Sequence, residues 1–561
     1  MRRNSLLILP ALALLFAACG KKAGNSGLLV PKDANIVVHI NSSSLTSKLS
    51  WDEIRQTNWF KEMSNKTTDS TAQQLLADPG KSGIDTKADL VFFMRKQGAG
   101  NYMVFQGKLK SASDFEKLLV QIHKDKPREV KKDGDFSYMA ADEKGVVLWN
   151  KSNFAYVANA ETPDMGNKFQ PGTGTPHAFL DDSLRIFGQQ ALTLKSSDNL
   201  DADSRFADLV KDGSDVHIWT NMSGYAGNMG GMMSMMKLNL LTDGNVSAIS
   251  VNFDNGKISA KSKSYYNEEM SKLLANHKPE NISAEMINRI PSSNVVGVIA
   301  FNYPPKGLQE LLRVLGVDGI ANGFLADMNY SIEEFVKANK GDVLLAVTDL
   351  TMMAKQDTIS YGPGTKPYVY SATKPDLKIL FAASVNDKAA FEKLITLAWQ
   401  ATKGMTDKMP PISYKLENNW FAASNSQEHT DKFLAGGNSN LPFVSKITGH
   451  PMGMYLDLNK LITSMGGPSV ANSTDSTAKA SYDLTIKMWK DVVASGGEYK
   501  DKSVSFDMEV NLVDQNTNSL KQLNQYFDKL SVYQAEKKKK FAGSDMPVEE
   551  MKEVPPVVAP Q

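Results

Sequence analysis

The sequence has a single cysteine, Cys19, among its 561 residues. An internal disulfide is therefore excluded, as is a metal site built from several thiolates. An excess of positive charge is also missing, since Lys and Arg number 63 and Asp and Glu number 62. Nucleic-acid binding depends largely on cationic side chains that displace counterions from phosphates. We therefore expect no nucleic-acid partner.

Apolar runs long enough to cross a bilayer are missing as well, because a spanning helix needs about 20 apolar residues. The run from Leu6 to Phe16 follows Arg2 and Arg3 and has the length of the hydrophobic part of a secretory signal. Small residues follow it, up to Cys19. This pattern predicts a signal peptide over residues 1–18.

Residues 16–20, Phe-Ala-Ala-Cys-Gly, resemble the bacterial lipobox, although Phe16 stands where that motif usually has Leu. The resemblance implies cleavage before Cys19 and fatty acylation of this cysteine. Several acyl chains on one residue give stable anchoring, whereas a single chain binds a membrane only marginally. We expect Cys19 to be the lipidation site and residues 19–27 to be a lipidated linker. Ordinary secretion with Cys19 unmodified is the alternative.

The residues after the cysteine bear on the membrane to which the protein is attached. Gly20 stands where an inner-membrane retention signal resembles Asp, and Lys21 and Lys22 stand where surface-exported lipoproteins carry acidic residues. By this resemblance we expect an outer-membrane lipoprotein that faces the periplasm.

The rest of the sequence has two similar halves. Phe115–Leu119 and Phe391–Ile395 are nearly the same peptide, each on an amphipathic helix that follows an apolar strand. Strands and helices mix without βαβ alternation, which favours an α+β fold. We predict a tandem duplication with largely antiparallel sheets and helices packed on one face. The expected domains are residues 28–280 and 288–533, followed by a disordered Lys/Pro-rich tail over 534–561.

Finer details of the halves are also predicted. Ser113 with Glu116 forms a capping-box pattern at the first helix, and Asn386 or Asp387 can cap the second. The residues 136–138 and 412–414 follow the two helices and are aligned as equivalent strands. Residues 351–375 are expected to extend a hairpin of the second half.

The overall pattern is similar to a known family. A lipobox, the opening strand with Val-Pro-Lys-Asp-Ala at residues 30–34, and two α+β copies resemble the uncharacterised Bacteroidetes lipoproteins grouped as domain of unknown function 4836. The resemblance implies a shared fold and an envelope location. It carries no catalytic residues or cofactor to transfer.

The chain offers few residues for catalysis or metal binding. None of its seven histidines lies within five residues of another, so a helical histidine pair for zinc is missing. His39 and His217 lie in comparable alternating strands and are interpreted as half-buried. Ser371 with Lys374 and Ser476 with Lys479 match Ser-x-x-Lys, but both lie in loop-like sequence. We therefore predict no catalytic residue, no metal and no cofactor.

A methionine-rich segment remains. Met229, Met232, Met233 and Met236 fall on one face of a predicted helix. Three interpretations compete: a core helix, a flexible surface that binds peptides or lipids, and a thioether site for Cu(I). These methionines are the candidate ligand-binding residues.

The sequence thus favours a periplasm-facing, membrane-anchored lipoprotein with a non-enzymatic binding or scaffolding role. Its partner would be an envelope protein, or an apolar ligand bound between the halves. The alternative is an envelope hydrolase acting on peptidoglycan or peptides. A hydrolase would require a histidine or serine within reach of a base in one pocket.

Overall fold

The computed structural model describes residues 29–66, 78–123, 127–141, 145–160, 178–223, 236–359, 368–402, 412–437, 439–471 and 473–542. Its helices in these ranges are α1 (Ser42–Lys48), α2 (Trp51–Arg55), α3 (Asn58–Lys66), α4 (Ala112–Ile122), α5 (Asp181–Leu192), α6 (Ser204–Lys211), α7 (Glu268–Asn276), α8 (Ala284–Asn288), α9 (Pro305–Val314), α10 (Asp318–Ala326), α11 (Ile332–Ala338), α12 (Lys388–Thr402), α13 (Gln427–Leu434), α14 (Val444–Ile447), α15 (Leu458–Ala471), α16 (Ser476–Ile486) and α17 (Ser519–Ala542).

The strands are β1 (Ile36–Ile40), β2 (Leu90–Gln97), β3 (Gly100–Lys108), β4 (Lys131–Asp133), β5 (Phe136–Ala141), β6 (Gly145–Trp149), β7 (Asn153–Ala160), β8 (Val216–Asn221), β9 (Val246–Asp254), β10 (Lys257–Tyr265), β11 (Val295–Asn302), β12 (Asn339–Ile359), β13 (Tyr368–Val385), β14 (Ser413–Glu417), β15 (Trp420–Ser424), β16 (Met452–Asp457), β17 (Trp489–Lys500) and β18 (Ser503–Leu512).

One 18-stranded antiparallel sheet unites both halves. The spatial order is β4-β5-β6-β7-β3-β2-β1-β8-β9-β10, then β18-β17-β16-β11-β12-β13-β15-β14. The halves meet at β10 and β18, which pair from Lys257 opposite Asn511 to Tyr265 opposite Ser503. Helices together with a large antiparallel sheet are the expected α+β class.

Helices cover both faces of the sheet, so the prediction of helices on one face is wrong. Successive residues of a strand point to opposite faces. On β7, Ala155 and Val157 are buried in a core with Leu184 of α5, whereas Phe154 is buried against Phe115 of α4. The second half repeats this division, because Leu380 and Ala382 of β13 lie in one core and Ala383 and Val385 lie in another with Phe391 of α12. Both faces of these strands are apolar, so helices pack on each face. A prediction that considered only one apolar face of the sheet could not place them.

The last helix crosses back to the beginning of the chain. The Nε1 of Trp59 donates to Oδ1 of Asn524 at 3.1 Å, and Nζ of Lys521 donates to Oε1 of Glu53 at 2.7 Å. Helix α17 continues to Ala542, beyond Gln534, where the disordered tail was expected to begin. Within the described ranges, no helix combines the length and the apolarity that crossing a bilayer requires.

Candidate functional site

Two buried histidines lie side by side in the middle of the first half. His39 of β1 and His217 of β8 are directly opposite each other in the antiparallel pairing, although 178 residues separate them in sequence. Their exposed fractions are 3% and 1%. Each lies two residues from a buried apolar side chain on the same strand face, Val37 on β1 and Trp219 on β8, so strand geometry turns the imidazoles toward the core.

The two rings join two carboxylates in a continuous chain of contacts. The Nδ1 atoms of His39 and His217 are 3.0 Å apart. The Nε2 of His39 lies 3.1 Å from Oδ2 of Asp89, and the Nε2 of His217 lies 2.7 Å from Oδ1 of Asp212. The rings stack with centroids 5.2 Å apart. We call Asp89, His39, His217 and Asp212 the histidine chain.

Local structure holds the carboxylate of Asp212, at one end of the histidine chain, in place. Asp212 follows the last residue of α6, and its carboxylate accepts hydrogen bonds from the backbone N–H of Ser214 at 2.8 Å and from Oγ of Ser250 on β9. Burial alone would raise the pKa of Asp212, but the hydrogen bonds from His217, Ser250 and Ser214 hold it well below its usual value. Asp212 is therefore a carboxylate anion at neutral pH.

A buried carboxylate, that of Asp215, lies close in sequence to His217 and is separate from the histidine chain. Asp215 has a fully buried side chain that accepts from Nζ of Lys48 at 2.5 Å, from Oγ of Ser44 at 2.6 Å and from the backbone N–H of Phe253 at 2.6 Å. Its charge is thus paired and its oxygens are occupied. Lys48 is committed to Asp215 rather than to the histidine chain.

The histidine chain is not arranged as a catalytic base. All four ring nitrogens already contact another member of the chain, and a base must place a nitrogen within about 3 Å of a substrate proton. The arrangement can instead hold and transfer protons between two carboxylates through two imidazoles.

A third histidine forms a more exposed group in the second half. Nε2 of His429 lies 3.2 Å from Oδ2 of Asp349, and its Nδ1 lies 3.2 Å from Oγ of Ser426. Asp349 has a φ of 56°, a left-handed conformation that is strained for a residue with a Cβ. Burial opposes ionisation of Asp349, yet hydrogen bonds from Ser292, Thr348 and His429 lower its pKa.

An uncharged row of side chains crosses the second-half sheet on the face opposite the core of Leu344, Leu380 and Ala422. Ile299 lies opposite Leu345, and Leu345 lies opposite Phe381. Register extends the row through Ala423 to Tyr414 on one side, and through Met454 and Ala494 to Met508 on the other. The exposed fractions of its largest exposed members, in sheet order, are 41% for Met508, 38% for Ile299, 40% for Leu345, 38% for Phe381 and 44% for Tyr414. We call these eight residues the apolar row.

A sequence profile described as "Domain of unknown function (DUF4836)" matches residues 27–362. The chain belongs to the DUF4836 family. All four members of the histidine chain lie within the matched range of this DUF4836 protein, whereas Ser426 and His429 lie beyond it.

Comparison of this DUF4836 protein with curated sequences finds no match. Among solved structures, crystal form I of TP0453 is 9% identical, with a TM-score of 0.23, and the alignment covers 48% of this chain and 87% of that one. Crystal form III of TP0453 is 6% identical, with a TM-score of 0.22 and coverages of 48% and 88%. At these scores the likeness carries no argument about fold or function.

Several sequence-predicted residues lie outside the part of the DUF4836 protein that the structure describes: Cys19, Met229, Met232 and Met233. Met236 is described and partly exposed, and the next residue, Lys237, donates its backbone N–H to the carbonyl of Leu315 at 3.1 Å. Among the described residues, no three His, Cys, Asp or Glu side chains are grouped as metal ligands.

Other predictions about chemistry need correction. His39 and His217 are fully buried and paired, not half-buried. Ser371 and Lys374 lie in strand β13, and Ser476 and Lys479 lie in helix α16, so neither pair lies in a loop. No local sequence pattern points to Asp89 or Asp212. The one available signal was a histidine at a similar place in two alternating strands.

Proposed function

We propose that this DUF4836 protein is an outer-membrane lipoprotein of the Bacteroidetes type, anchored through Cys19, that faces the periplasm and binds a partner protein without catalysing a reaction. The lipobox-like residues 16–20 support the anchor and the compartment. The apolar row is the observation that supports binding, since exposed contiguous apolar surface is typical of interaction sites.

The dimensions of the apolar row favour a protein partner. The row crosses eight strands, from β18 to β14. With neighbouring strands about 4.8 Å apart, it is roughly 34 Å long. A standard protein interface of roughly 800 Å² on each partner is roughly 30 Å across. A small apolar ligand would require a concave pocket that encloses most of its surface. The part of this sheet face that α12 leaves exposed is instead covered well by another protein.

A tandem duplication is part of the proposal, and the sheet order supports it. Outward from the β10–β18 pair, one half runs β9, β8, β1, β2, β3, β7, β6 and the other runs β17, β16, β11, β12, β13, β15, β14. Each step in one half has a counterpart with the same connectivity in the other. The duplicated architecture supplies one half that carries the histidine chain and another that presents the apolar row.

Position-specific crosslinking tests the proposed binding surface. Tyr414 and Lys415 are neighbours on β14 that point to opposite faces, with exposed fractions of 44% and 42%. A photoreactive amino acid at position 414 should crosslink to a discrete envelope protein in living cells, and the same group at position 415 should not. Leu345→Gln, at an exposed position of the row, should weaken the crosslink at 414 several-fold.

Equal crosslinking from both positions, or a crosslink at 414 that Leu345→Gln leaves unchanged, would reject the apolar row as the binding surface. The anchor is tested separately. A Cys19→Ala chain should leave the membrane fraction, and if it still sediments with membranes as the unaltered chain does, the lipid anchor is wrong.

A second candidate function is an envelope hydrolase acting on peptides or peptidoglycan, and one observation favours it. Ser426, His429 and Asp349 form a serine–imidazole–carboxylate series with 3.2 Å at each step. However, Ser426 also caps α13 by accepting from the backbone N–H of His429, which explains the contact without catalysis. A fluorophosphonate probe that labels the full chain, but not its Ser426→Ala variant, would support the hydrolase.

A further inference from the structure

We propose that the histidine chain binds a single proton between the Nδ1 atoms of His39 and His217, and that this proton fastens β1 to β8 in the folded protein. The inference is independent of the proposed partner and of the apolar row. It rests on a count of protons, on the burial of the two rings and on the charges around them.

The hydrogen bonds of the histidine chain need three protons. The chain contains three close contacts: Asp89 with His39, His39 with His217, and His217 with Asp212. Each contact requires one proton to be a hydrogen bond. Two neutral imidazoles carry two protons and two ionised carboxylates carry none. One of the three contacts therefore lacks a proton unless the histidine chain takes up one more.

The contact that lacks a proton is the one between the two rings. An ionised carboxylate can accept hydrogen bonds but cannot donate one, so each Nε2 donates to its own aspartate. Both Nδ1 atoms then present lone pairs to each other at 3.0 Å. With exposed fractions of 3% and 1%, the rings leave no approach for a water molecule between them. An added proton converts this repulsion into an N–H···N hydrogen bond.

The surrounding charges favour the added proton. Asp201, in the short 3₁₀ turn Leu200–Ala202, interacts electrostatically with His39, and burial raises the pKa of its carboxyl. Lys48 is the one cation among the groups named around the chain, and Asp215 already neutralises it. The charged groups that contact or interact electrostatically with the two rings are thus Asp89, Asp212 and Asp201, and the nearby Asp215 and Lys48 pair with each other. With the proton bound, the histidine chain carries one negative charge instead of two.

The proton has a structural consequence because the histidine chain connects four elements of the fold. Asp89 precedes β2, His39 is on β1, His217 is on β8, and Asp212 connects the end of α6 to β9 through Ser250. Loss of the proton turns the central contact into two facing acceptors and opposes the pairing of β1 with β8. We therefore expect the first half to loosen as the pH rises.

Linkage between pH and unfolding tests the proposal on the purified full chain. The folded chain should hold one more proton than the unfolded chain, so its unfolding equilibrium constant should rise about tenfold per pH unit above neutrality. In His39→Asn, which keeps a hydrogen-bonding group near Nδ1 but does not titrate, this part of the pH dependence should disappear. His429→Asn is the matched control, because His429 lies outside the histidine chain, and it should keep the unaltered pH dependence.

Identical pH dependence of the unaltered chain and His39→Asn would overturn the proposal. If His39→Asn does not fold, ¹⁵N NMR of the unaltered chain with labelled histidine decides instead. A protonated Nδ1 on one ring of the pair supports the bridge, and two unprotonated Nδ1 atoms exclude it. Metal analysis of the same sample should find no transition metal in molar ratio to the chain. A stoichiometric metal that Asp89→Asn removes would replace the proton by a metal ion and overturn the proposal.

Discussion

Asp212 is the residue whose replacement has the clearest expected effect. Asp212→Asn removes an anion that accepts from His217, Ser250 and the backbone of Ser214. Hydrogen bonds to a charged group each contribute about 1.5–3 kcal/mol, and the asparagine keeps part of them. We expect the variant to lose about 2 kcal/mol of the free energy of unfolding at pH 7, measured by urea denaturation.

The same variant has a defined acid response. The pKa of Asp212 is lowered by folding, so its ionised form stabilises the protein above its unfolded pKa of about 4 and this contribution is lost as the pH falls through the lower, folded pKa. As the pH falls below 5, the free energy of unfolding of Asp212→Asn should therefore decrease less than that of the unaltered chain. Asp208→Asn, on an exposed position of the same helix α6, should behave like the unaltered chain. An unchanged acid response in Asp212→Asn would contradict the role given to its carboxylate.

Single residues also show how far the sequence could be interpreted. Alternation predicted that His39 and His217 lie on strands, but not that these strands pair, because pairing over 178 residues leaves no local pattern. Ser111, rather than the expected Ser113, caps α4 by accepting from the backbone N–H of Asp114. Both serines fit the composition rule, and only the backbone conformation at the helix start distinguishes them. For the second helix, Asp387 is the cap of the two offered.

At the scale of the elements, the strand pair β11–β16 differs from the strand pair β1–β8, because it has small residues facing each other where the first pair has two histidines. Asn41 directly follows β1, and Asn302 is the last residue of β11. Two residues before these asparagines, His39 lies opposite His217 in the first half, whereas Ala300 lies opposite Gly453 of β16 in the second. A Cβ on Gly453 would lie 2.1 Å from the backbone oxygen of Ile447. Helix α14 thus packs directly on this strand pair, and no side chain fits.

Gly453→Ala should therefore destabilise the protein, since overpacking of a close-packed site costs about 1–3 kcal/mol. The matched control is Gly297→Ala on the adjacent strand β11, where the nearest atoms to a new Cβ are at ordinary contact distances of 3.5 and 3.6 Å. Thermal unfolding of the two variants should show a lowered Tm for Gly453→Ala and a nearly unchanged Tm for Gly297→Ala. Equal Tm values would mean that α14 shifts freely away from β16.

Periodicity predicted where individual strands lie better than it predicted which strands pair with each other. The expected extension of the second hairpin is present, since β12 runs to Ile359 and β13 begins at Tyr368. The alignment of residues 136–138 with 412–414 is wrong, because β14 pairs with β15 as β6, not β5, pairs with β7. Both β5 and β6 are short apolar strands, and only hydrogen bonding to β7 identifies the equivalent one.

Across the whole molecule, the C-terminal helix α17 ties the end of the chain to α2. The hydrogen bond from Lys521 and the capping bonds from Ser50 lower the pKa of Glu53 to about 2. A lowered carboxyl pKa stabilises the folded state above the unfolded value and is lost as the pH falls from about 4.5 toward about 2. Lys521→Met removes the partner of Glu53, so α17 should become more accessible to protease at pH 7. The fragments seen on a gel should match those that the unaltered protein gives only at acid pH. Lys529→Met, on the same helix, is the control and should leave the pattern unchanged.

The junction of β10 with β18 decides whether the halves can recognise each other as separate chains. Each half has its own apolar core, but cutting the chain at residue 280 exposes the nine paired positions of β10 as an open edge. Charge favours the native partner, since Lys261 lies opposite Asp507 and Lys257 pairs with Glu509. Two copies of the first half joined through β10 in the same register would instead place Lys261 opposite itself, and directly opposed like charges are destabilising.

Fragments 28–280 and 281–542, the second of which keeps the core residues Ile282, Met286 and Ile287, should therefore bind each other. Fragment 28–280 should not form a dimer of its own, as measured by light scattering. Lys261→Glu should weaken the binding of the fragments several-fold, because a cross-strand charge pair contributes about 0.2–1 kcal/mol. Lys263→Glu is the matched control, two residues away on the same face but opposite the uncharged Ser505, and should change the affinity less. A stable homodimer of fragment 28–280 would show that apolar and backbone pairing at this edge outweighs the charge pattern, and the pairing of the halves would then owe its specificity to the covalent link between them.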